Sequence, residues 1–414
     1  MNPGIKNKRW IIIFILFLAG VNNYLDRQTL SVLAPYLRDE LTLSNVDYSF
    51  IVNAFLLAYA IMYSGSGYLI DLLGGRRGVA FCILGWSIAS TLHATATGFL
   101  SLALYRFLLG LTEPGIAPGA FKVVNQLFTS KDRGFVLGIV LSGAGIGAIV
   151  APPVVIWLYL EFGWRMAFLA TGLSGAVVLI IWQLVYRPQD EKYSPGLDED
   201  EEEKNLSDSG DGYRWRDLFK LPTIWKLIVV RILSDPVWYF ILFWLPNYMV
   251  SERGFSVDVL GKTAWIPYIG VDAGIVLGGF IAGILIRRGH NPLTARKIVS
   301  LVSAVLIPAG ILYSLHADNP YVIMSLIAIA VFAMGLWMST IYPLPGDLFP
   351  FGNAASVYGL LGTAGAVGGI GFISLAGVLA DNGLSIVSFW LAACMLPLAV
   401  FILGVFIKPE KILV

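Results

Sequence analysis

Apolar residues run along this chain in blocks of about twenty, each closed by a short polar stretch. Twelve such blocks can be drawn, over 10–33, 47–70, 78–97, 99–121, 134–160, 164–186, 222–249, 261–286, 296–315, 320–343, 354–379 and 385–407. Each is long enough to cross a bilayer as a helix. The pattern therefore predicts an all-α integral membrane protein with twelve transmembrane helices. Lys6, Lys8 and Arg9 ahead of the first block resemble the start of a signal peptide, but the helical pattern runs on to Leu33, so 10–33 reads as the first span.

One connector is long. Residues 188–221 are polar and contain the acidic run 198–203, which reads as a solvated linker. It divides the chain into an N-terminal six-helix bundle, 1–187, and a C-terminal one, 222–414. The halves echo each other. Gly67, Leu69, Asp71, Gly74, Gly75, Arg76 and Arg77 close span 2, and Gly279, Ile281, Gly283, Arg287 and Arg288 close span 8. The glycines of span 5 (Gly138, Gly143, Gly145, Gly147) have counterparts in span 11 (Gly359, Gly362, Gly365, Gly368, Gly369). Paired repeats with a site between them near the midplane are the plan of a secondary transporter. Lys and Arg crowd the loops on the side of both termini, which places the termini in the cytoplasm.

Composition agrees. The 414 residues are 57% hydrophobic and 13% charged, about half the charge of a soluble globule. A net charge of +1 implies no nucleic-acid partner. Cys82 and Cys394 lie in apolar runs and read as small buried hydrophobes. The three histidines make no ligand spacing, and no Gly-rich loop carries a P-loop lysine. Neither metal nor cofactor is expected, an enzyme is disfavoured, and a monomer in the bilayer is expected.

The chemistry lies in charges inside the spans, which are costly in hydrocarbon and mark function by default. Span 1 carries Asn22, Asn23, Tyr24, Asp26 and Arg27. Asn22 stacks with Asp26, and Asn23 and Tyr24 with Arg27, while Asp26 and Arg27 point about 100° apart. Span 4 carries Arg106 and Glu113 on one stripe, about 10 Å apart along the axis, too far to pair directly. The four charges can form a near-neutral quartet. An anion bound between the arginines would then leave one carboxylate short of its partner and ready to take a proton. A purely structural ion network is the alternative. Arg231 and Asp235 have the spacing of a self-contained pair, or they shape a cavity. Asp272 is a lone carboxylate, either site or structure, and Lys122 reads as a snorkelling lysine. Pro114, Pro118, Pro152, Pro153 and Pro246 kink their helices or let them bend as a gate opens. Among the aromatics, Tyr59 and Tyr358 sit inside spans and can give a hydroxyl to a polyol, and they rank above Tyr63, Trp238, Tyr239, Trp244, Trp265, Tyr268 and Trp337, which read first as packing or interface anchors.

The loop with Gly67, Asp71, Gly74 and Arg76 resembles the signature loop of the major facilitator superfamily, with Gly75 where that signature has an arginine. Arg106 with Gly110, and Gly163-Trp164-Arg165 with Phe168, are similar to further patterns of that superfamily. Within it, Asn23-Tyr24-Leu25-Asp26-Arg27 and Arg106, Glu113, Pro114 and Pro118 resemble the anion:cation symporter branch. Arg231, Asp235-Pro236, Trp238, Trp244, Pro246, Trp265, Pro267 and Gly278-Gly279 resemble bacterial hexuronate transporters, although Ala144 stands where sugar-acid relatives can carry a Gln. The resemblance implies a proton-coupled importer of sugar acids, best fitted by glucuronate or galacturonate, in a bacterial inner membrane. It assigns Arg27, Arg106, Asn23, Tyr59 and Tyr358 to substrate, Asp26 and Glu113 to proton coupling, and Asp71 and Arg76 to a cytoplasmic gate. Another organic anion (an aldonate, an aldarate or a phosphate ester) and a non-transporting membrane sensor on the same scaffold are the alternatives.

Overall fold

The computed structural model describes residues 3–128, 130–188, 215–349 and 351–407. Most of the predicted linker, including its acidic run, lies outside these residues. The described residues are helical almost throughout. The long helices are α1 (Pro3–Glu40), α2 (Asn45–Leu92), α3 (Phe99–Thr112), α4 (Ile116–Leu127), α5 (Ser130–Phe162) and α6 (Trp164–Val185). They continue as α7 (Pro222–Asn247), α8 (Ile266–Arg287), α9 (Pro292–Ser314), α10 (Pro320–Ile341), α11 (Phe351–Asp381) and α12 (Ser385–Phe406).

Ten helical segments among the described residues are long and apolar enough to cross a membrane. The other two predicted spans, 3 and 4, are helical as well, although they fall outside these ten. Spans 2 and 3 form the two arms of α2, kinked at Gly74, whose φ of 80° suits a residue without Cβ. Span 4 is split into α3 and α4 by a single 3₁₀ turn, Glu113–Gly115. Pro114 has no N–H to give the preceding turn, so the α-helical ladder breaks beside Glu113.

The chain folds as two compact units, Met1–Glu202 with Val250–Glu252, and Glu203–Met249 with Arg253–Val414. Each unit repeats one packing scheme. In the first, α1 packs on α5 and α6, the first arm of α2 on α3, and the second arm of α2 on α6. In the second, α7 packs on α11 and α12, α8 on α10, and α9 on α12. Lipid offers no hydrophobic drive for helices to meet, so small residues that let backbones approach carry the packing. Gly143 and Gly147 of α5 lie against the carbonyls of Phe17 and Val21, and Gly368 of α11 lies against that of Ile232. This is the physical content of the glycine repeat in spans 5 and 11. Gly147→Val places methyl groups where the α1 backbone already sits. It is expected to lower stability by about 1–3 kcal/mol, read as a lower melting temperature of the purified protein in detergent; an unchanged melting temperature would contradict the close α1–α5 contact.

Candidate functional site

Two faces of α1 carry the polar residues of the first unit, and they meet different neighbours. The first face holds Asn22 and Asp26. Asn22 Oδ1 accepts from Trp86 Nε1 at 3.0 Å, and its amide nitrogen donates to Thr171 O at 3.1 Å and Ser174 Oγ at 2.7 Å. One amide thus ties α1 to the second arm of α2 and to α6. One turn on, Asp26 Oδ1 accepts from Ser90 Oγ at 2.6 Å, and the hydroxyls of Ser90 and Thr171 lie 3.4 Å apart.

The second face holds Asn23 and Arg27. Arg27 reaches the end of α3, where its Nε donates to Glu113 Oε2 at 2.8 Å and its Nη2 lies 2.6 Å from the same oxygen. Its guanidinium carbon stands 4.6 Å from the Tyr24 ring centre, 4.9 Å from Tyr59 and 5.2 Å from Phe55. The cation is therefore held by one carboxylate oxygen inside an aromatic cage. Arg106 donates through Nη1 and Nη2 to the backbone carbonyl of Arg27, at 3.2 and 3.1 Å. Asn23, Asp26, Arg27, Arg106 and Glu113 are all buried.

The predicted quartet is only half formed as ion pairs. Arg27 and Glu113 pair; Arg106 and Asp26 do not. Arg106 directs its fork at a backbone carbonyl of α1, and Asp26 turns toward a serine hydroxyl. The physical reason is the turn of about 100° between Asp26 and Arg27, which sends the two side chains to different helices. Among the described residues, four buried atoms of this group have no hydrogen-bond partner: Asn23 Nδ2, Asp26 Oδ2, Arg106 Nε and Glu113 Oε1. Buried polar atoms are nearly always paired, so four unpaired ones in one cluster single this group out as the candidate site of the first unit.

In the second unit Arg231 and Asp235 do form the i, i+4 pair, at 2.7 Å. Asp235 also accepts from Ser234 Oγ at 3.3 Å, and Gly365 of α11 lies against its carboxylate. Arg231 stands 4.8 Å from the Tyr342 ring, which makes an edge contact with Tyr358 at 6.0 Å. Tyr358 is thus placed one ring away from a buried cation, much as Tyr59 is placed beside Arg27.

Asp71 and Arg76, expected to form a cytoplasmic gate, are each fastened within the first unit. The Asp71 carboxylate pairs with Lys122 at 3.0 Å. Arg76 donates to the carbonyls of Tyr186 and Gln183, and Trp182 Nε1 donates back to Arg76 O at 3.0 Å. Lys122 does more than snorkel, since it also donates to the carbonyls of Ile70 and Asp71 at 3.3 Å. Cys394 is exposed, contrary to the expectation that both cysteines are buried, because it falls on the face of α12 that also exposes Trp390, Leu391, Leu398 and Phe401; Cys82 is buried. Phe55, Ser90, Thr171 and Tyr342 join the site without having been expected there. Phe55 was within reach of sequence reasoning, four residues before Tyr59 on one stripe. Single hydroxyls and rings in distant apolar spans carry no local signal.

The sequence matches the model of the family described as Major Facilitator Superfamily over residues 16–373. It is 30% identical over 385 residues to a hexuronate transporter of Escherichia coli K12, covering 91% of this chain and 89% of the relative. It is 31% identical over 388 residues to a probable galactarate/D-glucarate transporter of Bacillus subtilis, covering 84% of this chain and 83% of the relative. Among solved structures, a D-xylose-proton symporter superposes with a TM-score of 0.75 at 16% identity, covering 96% of this chain and 97% of that one. At that identity the likeness is one of fold.

Proposed function

The chain belongs to the Major Facilitator Superfamily, and from that premise we propose that it is a proton-coupled importer of sugar acids, best fitted by hexuronates such as glucuronate or galacturonate. It works by alternating access in a bacterial cytoplasmic membrane, with both termini in the cytoplasm. That the protein is a multi-pass membrane transporter and not an enzyme follows from its family; the substrate and the coupling ion are our reading. Relatives named as transporters of hexuronates and of galactarate and D-glucarate support a sugar acid.

The single observation that carries the coupling is the Arg27–Glu113 pair, in which two guanidinium nitrogens share one carboxylate oxygen while Glu113 Oε1 stays unpartnered. A substrate carboxylate that docks on Arg27 competes with Glu113 for the same donors. Parted from its cation in a dry interior, the Glu113 carboxylate is neutralised by a proton, since an unpaired buried charge is strongly disfavoured. Anion and proton then enter together. Asn23 Nδ2 and Arg106 Nε are buried donors free to meet substrate oxygens, and Tyr24, Phe55 and Tyr59 offer flat faces to a sugar ring. Asp26, with one oxygen on Ser90 and one unpartnered, is the second proton site. Asp71 and Arg76 act as the cytoplasmic gate, with Lys122 as the counter-ion whose release accompanies opening.

The test is transport by the purified protein in proteoliposomes. With an inward proton gradient, labelled glucuronate or galacturonate is expected to accumulate above its external concentration, and dissipation of the gradient is expected to stop accumulation. No uptake of either sugar acid would sink the hexuronate assignment. Accumulation driven by sodium and indifferent to the proton gradient would sink the coupling.

A further inference from the structure

One buried titratable side chain of the first unit has no part in the coupling scheme. His93 directly follows α2 and opens a single 3₁₀ turn, His93–Thr95. Its ring is buried, while Thr95 at the end of the same turn is exposed. The ring Nδ1 lies 2.7 Å from the carbonyl oxygen of Ala89. A carbonyl only accepts, so Nδ1 carries a proton, and in the neutral ring Nε2 is left as the base. Among the described residues this buried Nε2 has no hydrogen-bond partner. Buried polar atoms are nearly always paired, so packing alone does not account for it.

The ring belongs to a ladder built across the second arm of α2 and α6. Trp86, Ser90 and His93 are spaced four and three residues apart and share one face of α2. Ser174, Thr171 and Phe168 are spaced three apart and share one face of α6. The inner rung is Trp86 with Ser174, both bonded to Asn22. The middle rung is Ser90 with Thr171, hydroxyls 3.4 Å apart, and Ser90 donates to Asp26 Oδ1 at 2.6 Å. The outer rung is His93 stacked on Phe168, with ring centres 4.9 Å apart and planes within 15°. His93 therefore stands roughly 5 Å, one helical turn, beyond the serine that holds Asp26. Past it, the Tyr105 ring lies 5.7 Å from the imidazole, and the Tyr105 hydroxyl lies 3.1 Å from that of Thr95. Polar groups thus run from an exposed turn to Asp26 in steps that a single water can bridge. With both termini in the cytoplasm, that turn opens on the opposite, outer face.

We propose that His93 is the proton-transfer residue between the outer face and Asp26. A proton arriving past Tyr105 binds Nε2, and the ring becomes an imidazolium. The ring then releases that proton inward, through one water, to the Ser90 hydroxyl, while Ser90 passes its own proton to Asp26 Oδ1. A neutral imidazole, a neutral serine and a protonated Asp26 remain. The groups around the ring keep its charged form brief. Arg106 of α3, next to Tyr105, acts on the ring electrostatically, and its like charge drives the proton on toward the Asp26 carboxylate of α1. From α6 the ring meets Phe168, and the next turn brings Thr171; neither titrates. The proposal rests on the reading of Asp26 as a proton site, and adds the route by which that site is filled.

The experiment compares the wild type with His93→Asn in proteoliposomes. Initial rates of labelled glucuronate uptake under an inward proton gradient are measured in H2O and D2O, beside exchange of internal for external glucuronate in the same vesicles. Asn keeps an N–H for the Ala89 carbonyl but cannot take a proton and pass it on. His93→Asn is expected to lower gradient-driven uptake by roughly tenfold or more, the low end of what a lost proton-transfer group costs, with exchange held within about twofold. Exchange is spared because Asp26 keeps its proton through that cycle. The remaining driven uptake is expected to slow more in D2O than the wild type does, since proton delivery has become the limiting step. A histidine that only packs gives no such split. Driven uptake within about twofold of wild type, or a loss shared equally by driven uptake and exchange, overturns the proposal. Where His93→Asn does not fold, His93→Gln carries the same expectation. Wild-type vesicles that take up no glucuronate, or that accumulate it without regard to the proton gradient, overturn the transport or coupling reading and this proposal with it, whereas a coupled wild type with an unaffected variant overturns this proposal alone.

Discussion

Glu113→Gln is expected to abolish proton-driven accumulation of substrate while exchange of internal for external substrate continues. Gln is close in shape to Glu and can still accept a hydrogen bond from Arg27, so the break at Glu113–Gly115 keeps its packing. It carries neither the charge that competes with substrate nor the site that takes a proton. Arg27 is then left as a buried cation whose counter-ion is the substrate itself. Breaking a buried pair by removing one partner costs about 3–5 kcal/mol, so the variant is also expected to melt at a lower temperature, and saturating substrate is expected to restore part of the loss by binding the folded state. Counterflow and gradient-driven uptake measured on the same vesicles separate the two activities. Accumulation at the wild-type level would remove Glu113 from the coupling.

Arg27→Lys is expected to lower glucuronate uptake by roughly 100-fold, although the charge is kept. The loss follows from geometry. Arg27 uses Nε and Nη2 together on Glu113, and its plane sits among three aromatic rings at 4.6–5.2 Å. A lysine offers one compact ammonium with no fixed fork and stronger hydration. Losing one charge-assisted hydrogen bond costs about 1.5–3 kcal/mol, and roughly 100-fold corresponds to the upper part of that range. Initial rates across substrate concentration should show the effect mainly as a raised half-saturation concentration. Uptake within about threefold of wild type would mean that charge alone suffices, and would remove the planar-clamp role.

The legible part of this protein was the part that local rules decide. Twenty-residue apolar blocks, glycine repeats and charges at membrane depth are set by transfer energies and helix period, which act on neighbours in sequence. They were enough for the all-helical fold, its repeat and the family resemblance, and they singled out Asn22 to Arg27, Arg106 and Glu113 as polar groups that the interior has to accommodate. The split of span 4 was half visible, since Pro114 announced a break but not that Glu113 would sit on it.

Partner choice was not legible, because it depends on which helices pack together. Helix period sets Asp26 and Arg27 about 100° apart, but only packing shows that one meets Ser90 on α2 and the other Glu113 on the 3₁₀ turn after α3. That Arg106 would bind a backbone carbonyl instead of a carboxylate has no sequence signature, since any residue can lend a carbonyl. The same holds for Asp272. Its charge at mid-span was plain in the chain, while its isolation from every partner among the described residues, and its place opposite the glycine face of α8, came only from tertiary structure. Sequence decides which groups must be dealt with inside a membrane; the packing of one helix on another decides which of them are satisfied and which are left without a partner.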